Sequence, residues 1–219
     1  MQSRSQEDRS RVTRTALEQA GRTLFAEQGF LAVSTDEIVA AAGVTRGALN
    51  YHYGDKRGLF LAVLERMERE NSAEIQAAIA TVADPGDLVE TVDVGLRVFL
   101  EICQRPDMVQ IALSDAPGVL GWQAWREFEA RHGLGLITAQ LEQAQAAGLL
   151  VDMPISMLAK LLLSAITEAG LLVAQTDDRA AASADAAATL AAIVRGLLRG
   201  AEPRRAVTDQ LAEPGTDGR

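Results

Sequence analysis

The chain has 219 residues, 48% of them apolar and 4% aromatic, with a net charge of −9. That length can bury one substantial core, or a small domain beside a larger one, and the acidity argues against a general nucleic-acid coat protein. A single cysteine, Cys103, excludes an internal disulfide and a cysteine metal cluster. Alanine and leucine dominate, which favours helices over sheets. No apolar run follows a basic patch at the N-terminus, so no signal peptide is expected. The most apolar stretch, Leu158 to Val173, is interrupted by Lys160, Thr167 and Glu168, so no membrane span is expected either, and the expected compartment is the cytoplasm. The charge is uneven. Residues 1–60 hold eight Lys or Arg against seven Asp or Glu, and the other 159 hold thirteen against twenty-three. A near-neutral head on an acidic body can bind DNA through a few well-placed cations, but not indiscriminately.

In chain order, residues 1–9 read as a flexible basic arm. A first helix is expected from about Glu7 or Ser10 to Gln28, because Val12, Ala16, Leu17, Ala20, Leu24 and Phe25 recur at three- and four-residue steps. Gly29 is placed to cap it. Ser34, with Glu37 three residues on, forms a capping-box pattern ahead of a short helix bearing Ile38 and Ala41. Ala42-Gly43-Val44 supplies a turn, and Thr45 can cap a second short helix through Tyr51. Two short helices about a glycine turn describe either an ordinary packed pair or a helix-turn-helix whose second helix displays Thr45, Arg46, Asn50 and Tyr51.

Asp55 can cap the next helix, Lys56 to about Thr81, long enough to link two domains and ended by Asp84-Pro85-Gly86-Asp87. Leu88, Val92, Leu96, Phe99 and Cys103 mark another helix, followed by a short piece from Met108 to Leu113. Pro117-Gly118 is expected to break the chain before a long helix from about Leu120 to Ala147, closed by Gly148. Pro154 suits a first helical position, opening a helix to about Gln175. The last helix runs from about Ala180 to Leu198, and residues 201–219 have a disordered composition. The total is nine helices and no strand, since Leu149-Leu150-Val151 is short and close to Pro154.

The stretch around Gly29 to Phe60 resembles the DNA-binding domain of the tetracycline-repressor (TetR) family of bacterial transcriptional regulators. The family motif has its counterparts in Ser34, Ile38, Ala42-Gly43-Val44, Gly47, Leu49, His52-Tyr53 and Lys56. There are two departures. Val39 follows Ile38, and Asn50 stands where the family usually has a phosphate-touching tyrosine, with Tyr51 next door but about 100° round the helix. A second, less specific resemblance is Asp115 to Trp122 with Trp125-Arg126, similar to a stretch in the ligand-binding domains of many family members.

The resemblance implies an all-α, nine-helix TetR-like fold: a helix-turn-helix domain over 10–55 and a helical effector-binding and dimerisation domain over 56–200. It implies DNA contacts by Ser34, Thr35, Thr45, Arg46, Gly47, Asn50, Tyr51, His52, Tyr53 and Lys56, some of which instead lock the turn. Arg46 is the candidate for guanine, because its fork matches the O6 and N7 acceptors. Trp122, Trp125, Phe128 and His132 recur on one helix face and, with Arg97, Phe99, Cys103, Met108, Met157, Leu161, Ala165 and Glu168, are the candidate lining of an effector pocket. Gln140 is a further polar candidate. Leu158 and Leu162, with Ala184, Ala187, Ala188, Ala191 and Val194, are the candidate dimer interface.

No enzyme, metal or cofactor site is expected. His52 and His132 are the only histidines, Gly133 and Gly135 follow no strand, and Ser114-Asp115 resembles a nucleophile set only in composition. The expected protein is a homodimeric regulator binding a palindromic double-stranded operator, a repressor released by a small, largely hydrophobic organic effector, with no membrane partner. The alternatives are an effector-responsive activator of the same fold and a helical protein-interaction module without DNA binding.

Overall fold

A computed structural model describes residues 2–84 and 87–198. Residues 201–219, expected to be disordered, and the Pro85-Gly86 break lie outside the described residues. Among those described, nine α-helices and one π-helix form the structure: α1 Gln2–Gln28, α2 Thr35–Ala42, α3 Arg46–Tyr53, α4 Lys56–Ile79, α5 Leu88–Ile102, the π-helix Met108–Asp115, α6 Ala116–Leu120, α7 Trp122–Ala146, α8 Ile155–Gln175 and α9 Arg179–Gly196. The chain is all-α, as expected; an isolated antiparallel bridge joins Leu150 to Leu198.

The short helices are set by their caps. Ser34 accepts from the Glu37 amide while the Glu37 carboxylate accepts from the Ser34 amide, a complete capping box. Gly43 ends α2 at φ +64°, a left-handed conformation that side chains with a Cβ rarely adopt. Thr45 and Asp55 cap α3 and α4 by accepting from the Ala48 and Gly58 amides. Gly58 has a second role. A Cβ there would collide with the Tyr53 carbonyl, so the tight corner from α3 into α4 requires glycine.

The three helices of the head close over Leu17, Phe25, Ile38, Leu49, Leu59 and Phe60, all fully buried. Phe25, Phe30 and Phe60 form an edge-packed trio with ring centroids 5.1–5.8 Å apart. This core does not stop at the head. It continues along α4 through Leu64 and Met67 into Ile102, Met108, Ile111, Trp125 and Phe128, so head and body share one buried seam. Two further clusters fill the body between α5, α7, α8 and α9, around Leu141, Leu150 and Leu162 and around Leu100, Val173 and Leu190.

Several boundaries differ from expectation. Helix α1 begins at Gln2, so residues 2–9 are helical rather than an arm, and Val12 is 66% exposed because it lies ahead of the turn that packs on the head. Pro117-Gly118 does not break the chain. Pro117 sits in the first turn of α6, where its missing N–H is no loss, and the break falls at Gly121, φ +85°, ahead of Trp122. Pro154 is the cap of α8 rather than its first residue. Helix α8 is also long and apolar enough, by length and composition, to cross a membrane, which corrects the reading of Leu158 to Val173. Its Ala159, Leu162, Gly170 and Val173 are buried in the body. Gly170 lies so close to α5 that a Cβ would come within 2.8 Å of the Cys103 sulfur. The apolar length of α8 thus serves two faces, one packed inward and one outward.

Candidate DNA-binding head and effector cavity

Helix α3 presents one face to solvent. Thr45, Arg46, Gly47, Asn50 and Tyr51 are all exposed, Tyr51 at 83%, while Leu49 on the opposite face is fully buried. Thr35, at the first turn of α2, is half-buried. Arg46 lies 3.5 Å from Asp36 of α2, a pair between two exposed side chains. The half-buried His52 ring packs edge-on against Tyr51 at 5.0 Å.

Other expected contact residues are committed within the head. The Ser34 hydroxyl donates to Glu37 at 2.7 Å and accepts from the Glu37 amide. The bonds that the Ser34 hydroxyl and then the Ser34 amide donate hold the Glu37 carboxyl below its ordinary range and leave the serine little to offer a phosphate. The Tyr53 hydroxyl donates to Glu18 at 2.8 Å, fixing α3 to α1. Burial first, and this bond second, push its phenol well above the usual value. The Lys56 ammonium donates to the Phe30 and Val33 carbonyls at 2.8 and 2.7 Å and sits 4.3 Å above the Phe30 ring. It clamps the loop between α1 and α2. Tyr53 and Lys56 therefore lock the head rather than reach outward.

The body holds a partly open cavity of about 430 Å³ walled by α4, α5, α7, α8 and α9. Ile75 and Ile79 of α4, Leu88 and Leu96 of α5, Leu136 and Leu141 of α7, and Leu162 and Ile166 of α8 give it apolar walls. Of the expected lining, Phe99, Met108 and His132 are there, and so is Gln140. The rest lie elsewhere. Cys103, Trp125 and Phe128 are buried in the seam joining head and body, and burial raises the Cys103 thiol to about 12. Trp122 is 70% exposed, its ring tilted against that of Trp125 at 5.2 Å. Arg97 is exposed and paired with Asp93. Met157, Leu161 and Glu168 are on the outer face of α8, and Ala165 packs against the α5–α9 cluster. The face shared by Trp122, Trp125, Phe128 and His132 winds round α7, so only its last member reaches the cavity.

The expected dimer residues divide in the same way. Leu162, Ala191 and Val194 are buried within the chain, and Leu162 and Val194 line the cavity. Leu158 and Ala187 pack against internal clusters. Ala184 and Ala188 remain exposed. Sequence periodicity missed the outward apolar row of Met157, Leu161 and Leu172 on α8, with Ile193 of α9, all exposed.

It also missed the polar lining: Glu68, Asn71, Ser72, Gln76, Thr91 and Thr167. Glu68 is the unusual member. It is half-buried and lines the cavity. Burial, then the neighbouring Glu129 and Glu65 carboxylates, raise it to about 7. Glu68 stands among Glu65, Arg66, Arg69 and Glu70 in the middle of α4, so nothing in the sequence set it apart. His132 Nε2 is 3.3 Å from Glu65 but makes no hydrogen bond.

Residues 18–63 match the family described as bacterial regulatory proteins, tetR family, and residues 89–197 match the tetracyclin repressor-like C-terminal domain. The HTH-type transcriptional repressor AcnR of Corynebacterium glutamicum is 32% identical over 106 residues, 48% of this chain and 50% of that protein. The HTH-type transcriptional regulator AcrR of Shigella flexneri is 40% identical over 72 residues, 33% of this chain and 31% of that one. The chain thus spans half or less of the length of these curated relatives. A crystal structure of a TetR-family transcriptional regulator from Pectobacterium atrosepticum aligns along nearly its whole length, with 31% identity, a TM-score of 0.74, and coverage of 90% of this chain and 98% of that one. With head and body matched in turn, and a solved relative matched almost end to end, the chain belongs to the TetR family of bacterial regulators.

Proposed function

We propose that the protein is a dimeric, cytoplasmic transcriptional repressor that binds a palindromic DNA operator through α3 and releases it when a small, largely hydrophobic effector enters the cavity. The observation that carries this reading is the span of α4. It begins at the Gly58 corner of the head, and its Ile75, Gln76 and Ile79 form a wall of the cavity. A ligand that favours a tilted α4 changes the position of the attached head, and by linkage DNA weakens ligand binding by the same factor.

Arg46 reads guanine, Asn50 and Tyr51 lie at the phosphate or the neighbouring base, and Thr35, Thr45 and Gly47 bring backbone and hydroxyl groups to the duplex. Two heads are needed, since one helix-turn-helix buries little surface and half-sites sit about one DNA turn, or a multiple, apart. The outward row Met157, Leu161, Leu172 and Ile193, beside the small Ala184 and Ala188, supports a two-fold pairing of α8 and α9 with a second copy. The repressor sense follows AcnR, which is named a repressor.

Selection of bound sites from a random DNA pool tests the reading. It predicts enrichment of a two-fold symmetric sequence whose affinity falls steeply with salt. Equal binding to cognate and scrambled DNA would reject a sequence-specific regulator.

A further inference from the structure

The effector reading leaves open what kind of molecule the cavity takes, and the charge distribution on its walls narrows that. No lysine or arginine is among the lining residues. The acidic group is Glu68, and no hydrogen bond or ion pair satisfies it among the described residues. The nearby carboxylates differ: Glu65 is engaged by Arg131 at 3.1 Å, and Glu129 by Arg126 at 3.1 Å. Those arginines are turned to their own partners, Arg126 also donating to Ser164. One carboxyl is thus left facing a largely apolar chamber whose other polar groups are uncharged amides and hydroxyls and His132, with the carboxylates of Glu129 and Glu65 nearby.

Resting on the proposed effector site, we propose that the cavity takes a compact apolar molecule carrying a protonated amine, with the ammonium group seated against Glu68. A carboxylate ligand would meet like charge without a compensating cation. A neutral ligand can donate a hydrogen bond to Glu68 but brings no charge to offset its ionised form. An ammonium converts that cost into attraction, because an opposite charge within about 4–6 Å favours the ionised carboxylate. Asn71, Ser72 and Gln76 lie on the same helix and line the same cavity, so their side-chain oxygens can take the remaining N–H donors. A metal ion is a poorer occupant. No group of three or more His, Cys, Asp or Glu with metal-holding geometry occurs among the described residues.

The test uses the full-length protein and three probes with one apolar body: phenylbutylamine, phenylbutanol and phenylbutanoate, titrated calorimetrically at about pH 7.5, where the amine is charged. The amine is expected to bind at least about tenfold more tightly than either of the others, and Glu68→Gln to remove that preference while changing alcohol binding by less than about threefold. Glu68→Met, similar in length and apolar, serves as the second variant should the glutamine variant fold poorly.

Alcohol or carboxylate binding equal to that of the amine overturns the proposal, as does amine affinity unchanged in both variants. Binding by none of the three overturns it as well. Operator affinity measured with saturating amine separates this from the function above. An amine that binds through Glu68 without loosening the operator keeps the ligand class and removes the release mechanism.

Discussion

The Asp115 carboxylate accepts a 2.7 Å hydrogen bond from the Phe30 amide. Asp115 ends the π-helix whose first residue, Met108, lines the cavity, and Phe30 opens the loop that leads into the helix-turn-helix. Arg57, at the start of α4, donates to the Val119 carbonyl of α6, and Arg22 of α1 donates to Asp107 just ahead of the π-helix. The head is therefore held to the body by a second route beside α4, and that route also begins at the cavity.

Removing this tie has a defined cost. Asp115→Ala strands a part-buried amide and is expected to destabilise the protein by about 1–3 kcal/mol. Amide exchange over residues 29–33 should accelerate. Asp115→Asn, which retains an acceptor, should lose less on both counts. Denaturant unfolding and hydrogen exchange read the two variants, and wild-type protection in Asp115→Ala would show that the loop is held by its aromatic core alone.

Arg46 is held by Asp36 in the free protein, and that pair has to open for the guanidinium to reach a base. Exposed pairs are worth at most about 1 kcal/mol. Asp36→Asn should raise operator affinity a few-fold by freeing Arg46 and removing a negative charge near the phosphates. Arg46→Ala should lose about 1–3 kcal/mol and relax selectivity at one base pair. Binding measured on cognate and scrambled DNA decides it: equal loss on both makes Arg46 a phosphate anchor only.

The division of α8 into two faces moves the dimer test away from the buried alanines. Leu161 is 62% exposed on the outward row. Leu161→Glu should therefore yield a folded monomer with native helicity and no specific DNA binding. Ala191→Glu would instead unfold the body, because Ala191 is buried in the chain. Sedimentation with circular dichroism distinguishes these outcomes, and a dimeric Leu161→Glu protein would relocate the interface.

Glu68 gives ligand-free stability a pH slope. Its carboxyl titrates near 7 in the fold against an ordinary 4.5. The folded state therefore holds a proton the unfolded chain has released. The contribution is fully present below 4.5 and is lost as pH rises through about 7. The groups facing it are Glu65 on the same helix, Glu129 on α7, and Cys103, which stays neutral because burial raises its thiol to about 12; His132 lies against Glu65. Glu129 is raised by burial and acts in the same direction. The melting temperature should fall between about pH 4.5 and 7 and level off above, and Glu68→Gln should flatten much of that fall. An identical slope in the variant would assign it to other groups.

The caps of the head were legible in local spacing. Ser34 with Glu37, Gly43, Thr45 and Asp55 act on backbone groups three residues away or on their own φ, so the ends of its short helices needed no tertiary contact. The sequence by itself also determined that the body is helical, because apolar recurrence at three and four residues survives any packing. Which apolar face turns inward was decided only by the tertiary structure. Helix α8 is apolar nearly all round, and periodicity cannot tell Leu162, in the cavity wall, from Leu161, on the outside. The same holds for Trp125 and Phe128, claimed by the seam with the head rather than by the cavity. The polar assignments of Lys56 and Tyr53 depend on carbonyls and a carboxylate brought from α1 and its following loop. Glu68 became unusual only when the helices of the body came together round it and cut back the water that its charge would otherwise have had.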